Sequence, residues 1–335
     1  MEKEKNIFEI KDGVLIKLNN KYLSKVVIPE EITEIGAYAF YDCKKITSIK
    51  IPESVKIIKH NAFAGCKNLT SINIPKNVKI IEDMIFYNCD NLVNIIIPTG
   101  VTTIGNWVFR GCTKLTNINI PESVIKIGLS AFSDCTSITT VSIPESIEII
   151  GRDAFSDCKN LKSIEIDKNN NKYKSIDGVL FTKDEKTLIT YPAGKEEQTY
   201  NIPIGVEEID IGAFSGCTSL TSINFSQTVK KIGCSAFSNC IRLVNVNFSE
   251  NITEIDLGAF SGCKSLTTIK LPSSIKEIEC FTFKDCTNLV NISVSESLVK
   301  IGEFAFGNCT SLKNINVPQG IEIAKTAFRG CKLLK

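Results

Sequence analysis

The chain has 335 residues, 43% of them apolar and 23% charged, long enough for two domains of ordinary size. Its 39 Lys and Arg against 37 Asp and Glu leave a net charge of +2, which removes the electrostatic reason to expect nucleic acid or an anionic membrane as the main partner. No apolar run approaches 18 residues, so no segment reads as a membrane-inserted span.

In chain order, Met1-Glu2-Lys3-Glu4-Lys5-Asn6 carries mixed charge with no apolar core behind it, so the sequence as it stands reads as lacking a secretory signal. Asp12-Gly13-Val14-Leu15-Ile16-Lys17-Leu18, a turn at Asn19-Asn20, and Tyr22-Leu23 leading to Ile28-Pro29 predict an N-terminal hairpin over 1–29. Such a hairpin would cover the exposed edge of the next structural layer.

From residue 30 onward the chain repeats every 23 residues. Phenylalanine recurs at Phe40, Phe63, Phe86, Phe109, Phe132 and Phe155, then at Phe214, Phe237, Phe260, Phe283 and Phe306, with Phe328 one residue early. An isoleucine precedes each by five residues and a cysteine follows each by three, which explains twelve of the 14 cysteines. The residue two after each Phe is always Gly, Asn or Asp, from Asp42 and Gly65 to Asn308 and Gly330. These types tolerate φ > 0, so a left-handed position ending the Ala-Phe turn is predicted. After each Cys comes a short alternating run such as Leu69-Thr70-Ser71-Ile72-Asn73-Ile74-Pro75, a strand that ends in a turn. One coil therefore reads as strand, Pro turn, Val/Ile stretch and short helical turn, and no coil buries its apolar side unless neighbours stack.

The first block of coils spans 30–166. An insertion over 167–203 interrupts it, opening with the polar Lys168-Asn169-Asn170-Asn171-Lys172 and continuing as two strand signals, Asp177-Gly178-Val179-Leu180-Phe181-Thr182 and Thr187-Leu188-Ile189-Thr190-Tyr191-Pro192. This predicts a β-hairpin island that shares Asp-Gly-Val-Leu with the N-terminal piece. A second block spans 204–335 and stops in mid-coil after Cys331. The uncovered edge around Phe306, Ile315, Val317, Ile323 and Phe328 is a candidate surface for self-association.

The motif Leu-x-x-Ile-x-Ile-Pro-x-x-Val-x-x-Ile-Gly-x-x-Ala-Phe-x-Gly-Cys resembles the BspA-like branch of the leucine-rich repeats over nearly the whole chain. Departures are small: Ser226, Ser249 and Ser295 replace the turn proline, and Asp167 does so at the interruption. The resemblance implies a right-handed repeat solenoid with a parallel β-sheet on one face, short helical turns on the other and, here, two hairpin insertions. It also implies a protein-binding or adhesion role at a cell surface or in secreted form. Met1 as a native start and many unpaired thiols point instead to the cytoplasm.

Stacking places equivalent cysteines about 5 Å apart, but side by side and not facing, so buried free thiols filling a small apolar slot are expected. With no Cys-x-x-Cys and one histidine, His60, no metal ligand set is visible. No catalytic motif is present either, and no enzyme activity or cofactor is expected. Two surfaces remain as candidates for a protein partner. On the strand face the outward columns are small and polar, with Lys50, Asn73, Asn119, Asn224, Asn247, Lys270 and Asn316 as candidate contacts. On the turns, the column two before Phe holds Tyr38, Met84, Trp107, Phe281 and Phe304, where other coils accept Asn61 or Asp153. The alternative is a structural spacer whose polar strand face is merely a solvated wall.

Overall fold

An apolar column of period 23 has no partner within its own coil, and stacking supplies one in each of two compact units, Met1–Lys172 and Tyr173–Lys335. The computed structural model describes residues 7–334. The six N-terminal residues on which the reading of a missing secretory signal rests, and Lys335, lie outside the described residues.

In the first unit, Phe8–Lys11 and Val14–Leu18 form an antiparallel hairpin turned at Asp12 (φ 50°) and Gly13 (φ 76°). Its second strand runs parallel to Glu34–Ile35, so an antiparallel hairpin starts a parallel stack. Three-residue strands Lys25–Val27, Ser48–Lys50, Ser71–Asn73, Asn94–Ile96 and Asn117–Asn119 then pair in parallel and in register. Their central residues Val26, Ile49, Ile72, Ile95 and Ile118 are buried while the flanking ones face out. The Val/Ile stretch of each coil, read from the sequence only as a connection, forms a second parallel sheet of two-residue strands. Ile80–Ile81, Thr103–Ile104, Lys126–Ile127 and Ile149–Ile150 pair in register, burying Ile81, Ile104 and Ile127 and half-burying Ile150. Between the sheets the rings of Phe40 to Phe155 stack with centroids 5.2 to 5.6 Å apart.

The segments around Ala-Phe are hydrogen-bonded turns, and no helix forms among the described residues. The reason is conformational. All twelve residues two after Phe have φ > 0, as their Gly, Asn and Asp identities predict. Eleven residues two before Phe have it as well, including Tyr38 (φ 60°), Trp107 (φ 54°) and Phe281 (φ 61°). Left-handed residues on both sides of Phe stop any right-handed helix from propagating. Within this frame each residue after Phe donates its N–H to the carbonyl three residues back, as Tyr41 does to Tyr38 and Arg110 to Trp107.

At the end of the first unit Asn170 occupies the column of Val101, Val124 and Ile147 and is fully buried. Its Nδ2 donates to the carbonyls of Pro144 (3.1 Å), Glu145 (3.2 Å) and Ile147 (2.9 Å), which satisfies acceptors that another coil would otherwise cover.

The second unit opens with Tyr173–Ile176, Val179–Thr182 and Thr187–Thr190 in antiparallel order, turned at Asp177 and Gly178 (φ 50° and 77°). The third of these strands lies parallel to Glu208–Ile209, the first of the short strands here. The long-strand sheet begins with Thr199–Asn201 against Ser222–Asn224. Tyr191, 23 residues before Phe214, heads the ring stack with its centroid 5.0 Å from that of Phe214. The stack then continues to Phe328 at 4.7 to 5.7 Å.

Candidate binding surfaces

The cysteine column is a hydrogen-bonded ladder. Each column thiol from Cys66 to Cys309 donates to the carbonyl of the aromatic residue 26 positions earlier: Cys66 to Phe40 (3.2 Å), Cys112 to Phe86 (3.2 Å), Cys240 to Phe214 (3.1 Å) and Cys309 to Phe283 (3.0 Å). Cys217 makes a longer contact with Tyr191 O (3.8 Å), and Cys331 reaches back 25 residues, to Phe306 O (3.1 Å), because the last period is one residue short. Burial pushes the thiols of Cys66, Cys89, Cys112, Cys135, Cys263 and Cys309 up, and those of Cys158 and Cys286 to about 12. A neutral, enclosed S–H is a poor nucleophile and a serviceable small donor. All 14 cysteines stand as free thiols, with Cys234 and Cys280 partly exposed in a different column.

On the strand face, Lys50, Asn73, Asn119, Asn247, Lys270 and Asn316 are exposed and Asn224 is half-buried. The two units use this face differently. In the second, Asn247 Nδ2 donates to Asn224 Oδ1 and Asn224 Nδ2 to Asn201 Oδ1, both at 2.6 Å, so these amides are occupied by one another. In the first, the side-chain amides of Asn73, Asn94, Asn117 and Asn119 make no hydrogen bond among the described residues. Lys50, Asn73, Asn94 and Ile96 line a hollow of about 680 Å³ there. Ile96 and nearby Val27, 70% and 66% exposed, add apolar area to that face.

The turn column behaves otherwise. Tyr38, half exposed, packs edge-on against Tyr41 and His60 at centroid distances of 5.6 and 5.4 Å. Trp107, Met84, Phe281 and Phe304 are half-buried. Phe281 and Phe304 stack at 5.5 Å and 5°, with Lys284 Nζ 5.7 Å from the first ring and Arg329 Cζ 5.9 Å from the second. The sequence candidates thus fall on separate surfaces: Lys50 with Asn73 in one hollow, Asn224 with Asn247 in one ladder, Phe281 with Phe304 in one stack. Sequence reasoning missed Val27, Asn201, Lys284 and Arg329. Each carries a positional signal, since Val27 and Asn201 lie 23 residues before Lys50 and Asn224, and Lys284 and Arg329 each come directly after a column phenylalanine.

Coils of 23 residues, paired parallel sheets and a turn face without helix define a leucine-rich-repeat solenoid. The chain belongs to the BspA type leucine-rich-repeat family, which it matches at residues 17–112, 79–201 and 207–335. It is similar to a leucine-rich cell surface protein of Faecalibacterium prausnitzii, with 31% identity over 96% of this chain and 93% of the other and a TM-score of 0.78. The pneumococcal vaccine antigen PcpA shares the fold at 22% identity and a TM-score of 0.68, over 94% of this chain and 89% of that one. A leucine-rich repeat protein of Eubacterium ventriosum does so at 22% and 0.65, over 97% and 92%. Comparison with curated proteins finds no match.

Proposed function

We propose that this chain is a non-catalytic protein-binding module acting at a cell surface, and that the strand face of its first unit is the contact. The observation that carries the reading is the hollow over Lys50, Asn73 and Ile96, where free amides, a cation and exposed apolar carbons converge without a partner among the described residues. Amides and an ammonium supply directional hydrogen bonds to a polypeptide backbone, and Val27 with Ile96 supplies desolvation. The likeness to a leucine-rich cell surface protein supports the placement outside the cell. The spacer reading draws its support from the second unit, where the Asn201, Asn224 and Asn247 ladder is internally satisfied. Self-association through the edge around Phe306 and Phe328 remains part of the proposal.

The test is to immobilise the intact chain, pass soluble extracellular-matrix and neighbouring-cell surface proteins over it, and repeat with Ile96→Asp, Asn119→Asp and Lys50→Glu. Binding lost in these variants, and kept with Lys270→Glu in the second unit, supports the reading. Binding that ignores all four changes refutes it, and no binding at all favours the spacer.

A further inference from the structure

The two units put different chemistry on the outer side of the short-strand sheet. The first residue of each of these strands is exposed or half-buried, and in the second unit it is charged in every coil: Glu208, Lys231, Glu254, Glu277, Lys300 and Glu322. In the first unit the same column carries Ile57, Ile80 and Ile149, which are 42%, 52% and 49% exposed. Stacking therefore does not call for apolar side chains here, and those present are area left open for contact.

The short-strand sheet of the first unit is interrupted between Ile57–Ile58 and Ile80–Ile81, which do not pair. Beside the interruption a hollow of about 480 Å³ lies over Ile80, Thr103 and Lys126, the outward residues of three adjacent strands in register. Met84 adds apolar surface to its wall. The two carboxylates that line the hollow are already spent. Glu82 pairs with Lys59 Nζ (3.3 Å) and accepts from the backbone N–H of His60 (2.9 Å), and Asp83 accepts from the backbone N–H and the side-chain amide of Asn106 (2.8 and 3.1 Å). The Lys126 ammonium, by contrast, makes no ion pair and the Thr103 hydroxyl no hydrogen bond among the described residues. What the hollow leaves unspent is a pair of donors beside an aliphatic floor, which is complementary to a carboxylate held close to an aliphatic side chain.

Spacing sets the form of that ligand. Ile80 and Lys126 stand two strands apart, about 9.6 Å, while alternate side chains of an extended chain running across the strands project on one side about 6.6 Å apart. The long Lys126 side chain closes the remaining distance of about 3 Å. We infer that this hollow is a second docking site, on the side of the ring stack away from the strand face, for an extended polypeptide segment with an acidic residue two positions from an aliphatic one. The aliphatic side chain lies on Ile80 and Met84, and the carboxylate pairs with Lys126 and accepts from Thr103.

The probe is a dye-labelled Gly-Asp-Ser-Leu-Ser-Asp-Gly peptide, which offers the pattern in either chain direction, titrated into the full chain and tracked by fluorescence anisotropy. Binding with a Kd below about 1 mM is expected, weakening with salt. Ile80→Thr and Lys126→Glu should each weaken it roughly fivefold or more. Both bring in a residue type that the same column already carries, at Thr103 and Glu254, and an unchanged thermal midpoint verifies that they fold. Lys126→Glu should in turn bind Gly-Lys-Ser-Leu-Ser-Lys-Gly more tightly than the wild-type chain does. The inference is overturned if the wild-type chain does not bind, if peptides with Asn for Asp or Ser for Leu bind equally well, or if Lys126→Glu leaves both affinities unchanged. Asn119→Asp on the strand face should leave peptide binding as it is. A loss there would assign the peptide to that face and overturn the inference, whereas failure of the strand-face reading leaves the peptide result standing.

Discussion

Raising the pH above the range in which ordinary thiols ionise should melt the first unit. Five of its cysteines, Cys66, Cys89, Cys112, Cys135 and Cys158, are enclosed and have their ionisation pushed up by burial. An unfolded cysteine ionises near 8.5. A group whose folded pKa is raised gives its full contribution below the unfolded value, and that contribution falls as the pH climbs through the window between the two. Each thiol then costs about 1.4 kcal/mol per pH unit above about 8.5. At about pH 9.5 the five together remove about 7 kcal/mol, comparable with the whole stability of a typical domain. The assay is thermal unfolding by circular dichroism under reductant at about pH 7, 8.5 and 9.5. Cys112→Ala should flatten the slope of the first unit's transition by about a fifth, since one of five thiols is gone. A midpoint unchanged between pH 7 and 9.5 would refute the buried ladder.

Other perturbations probe the columns separately. Ile104→Ala or Phe109→Ala should cost about 2–5 kcal/mol by chemical denaturation, because both are fully buried, whereas exposed Asn119→Ala should cost little. Gly128→Ala should disrupt the stack more than either, since its Cβ would lie 2.4 Å from the carbonyl carbon of Gly105; a soluble, fully folded variant would contradict that packing. Asn170→Val restores an apolar side chain to its column but leaves three carbonyls without their amide donor, so a loss of about 1–3 kcal/mol in the first unit's transition is expected.

Period and identity made much of this architecture legible. The isoleucine and phenylalanine columns had to be buried, and Gly, Asn and Asp alone at one column implied its positive φ. The second left-handed column was hidden because Tyr38, Met84, Trp107, Phe281 and Phe304 are not residues that advertise φ > 0. The second sheet escaped notice because two-residue strands are too short to show alternation. Tyr191 and Asn170 keep the register inside the stretch expected as an inserted island, but each is chemically unlike its column, so neither looked periodic. The period places cysteine as a small buried free thiol, but its role as a donor to the previous coil depends on where the carbonyl 26 residues earlier lies in the fold. The candidate surface was legible only as two outward columns; whether an asparagine amide is free or spent on its neighbour depends on side-chain torsions that no spacing encodes.

The bonds between successive coils span close to one period: 22 residues from Ser54 to the Ile32 carbonyl, 23 from Thr70 to the Thr47 carbonyl, 26 from Cys66 to the Phe40 carbonyl. A donor therefore meets the same acceptor whether a unit holds five coils or ten. Duplicating or deleting one 23-residue module leaves every surviving interface chemically intact, so reach across a partner can change by unequal recombination without a new core. A shift of one or two residues is another matter, because it throws every column out of step at a single junction. The shortened period between Phe306 and Phe328 marks where this chain has absorbed such a shift.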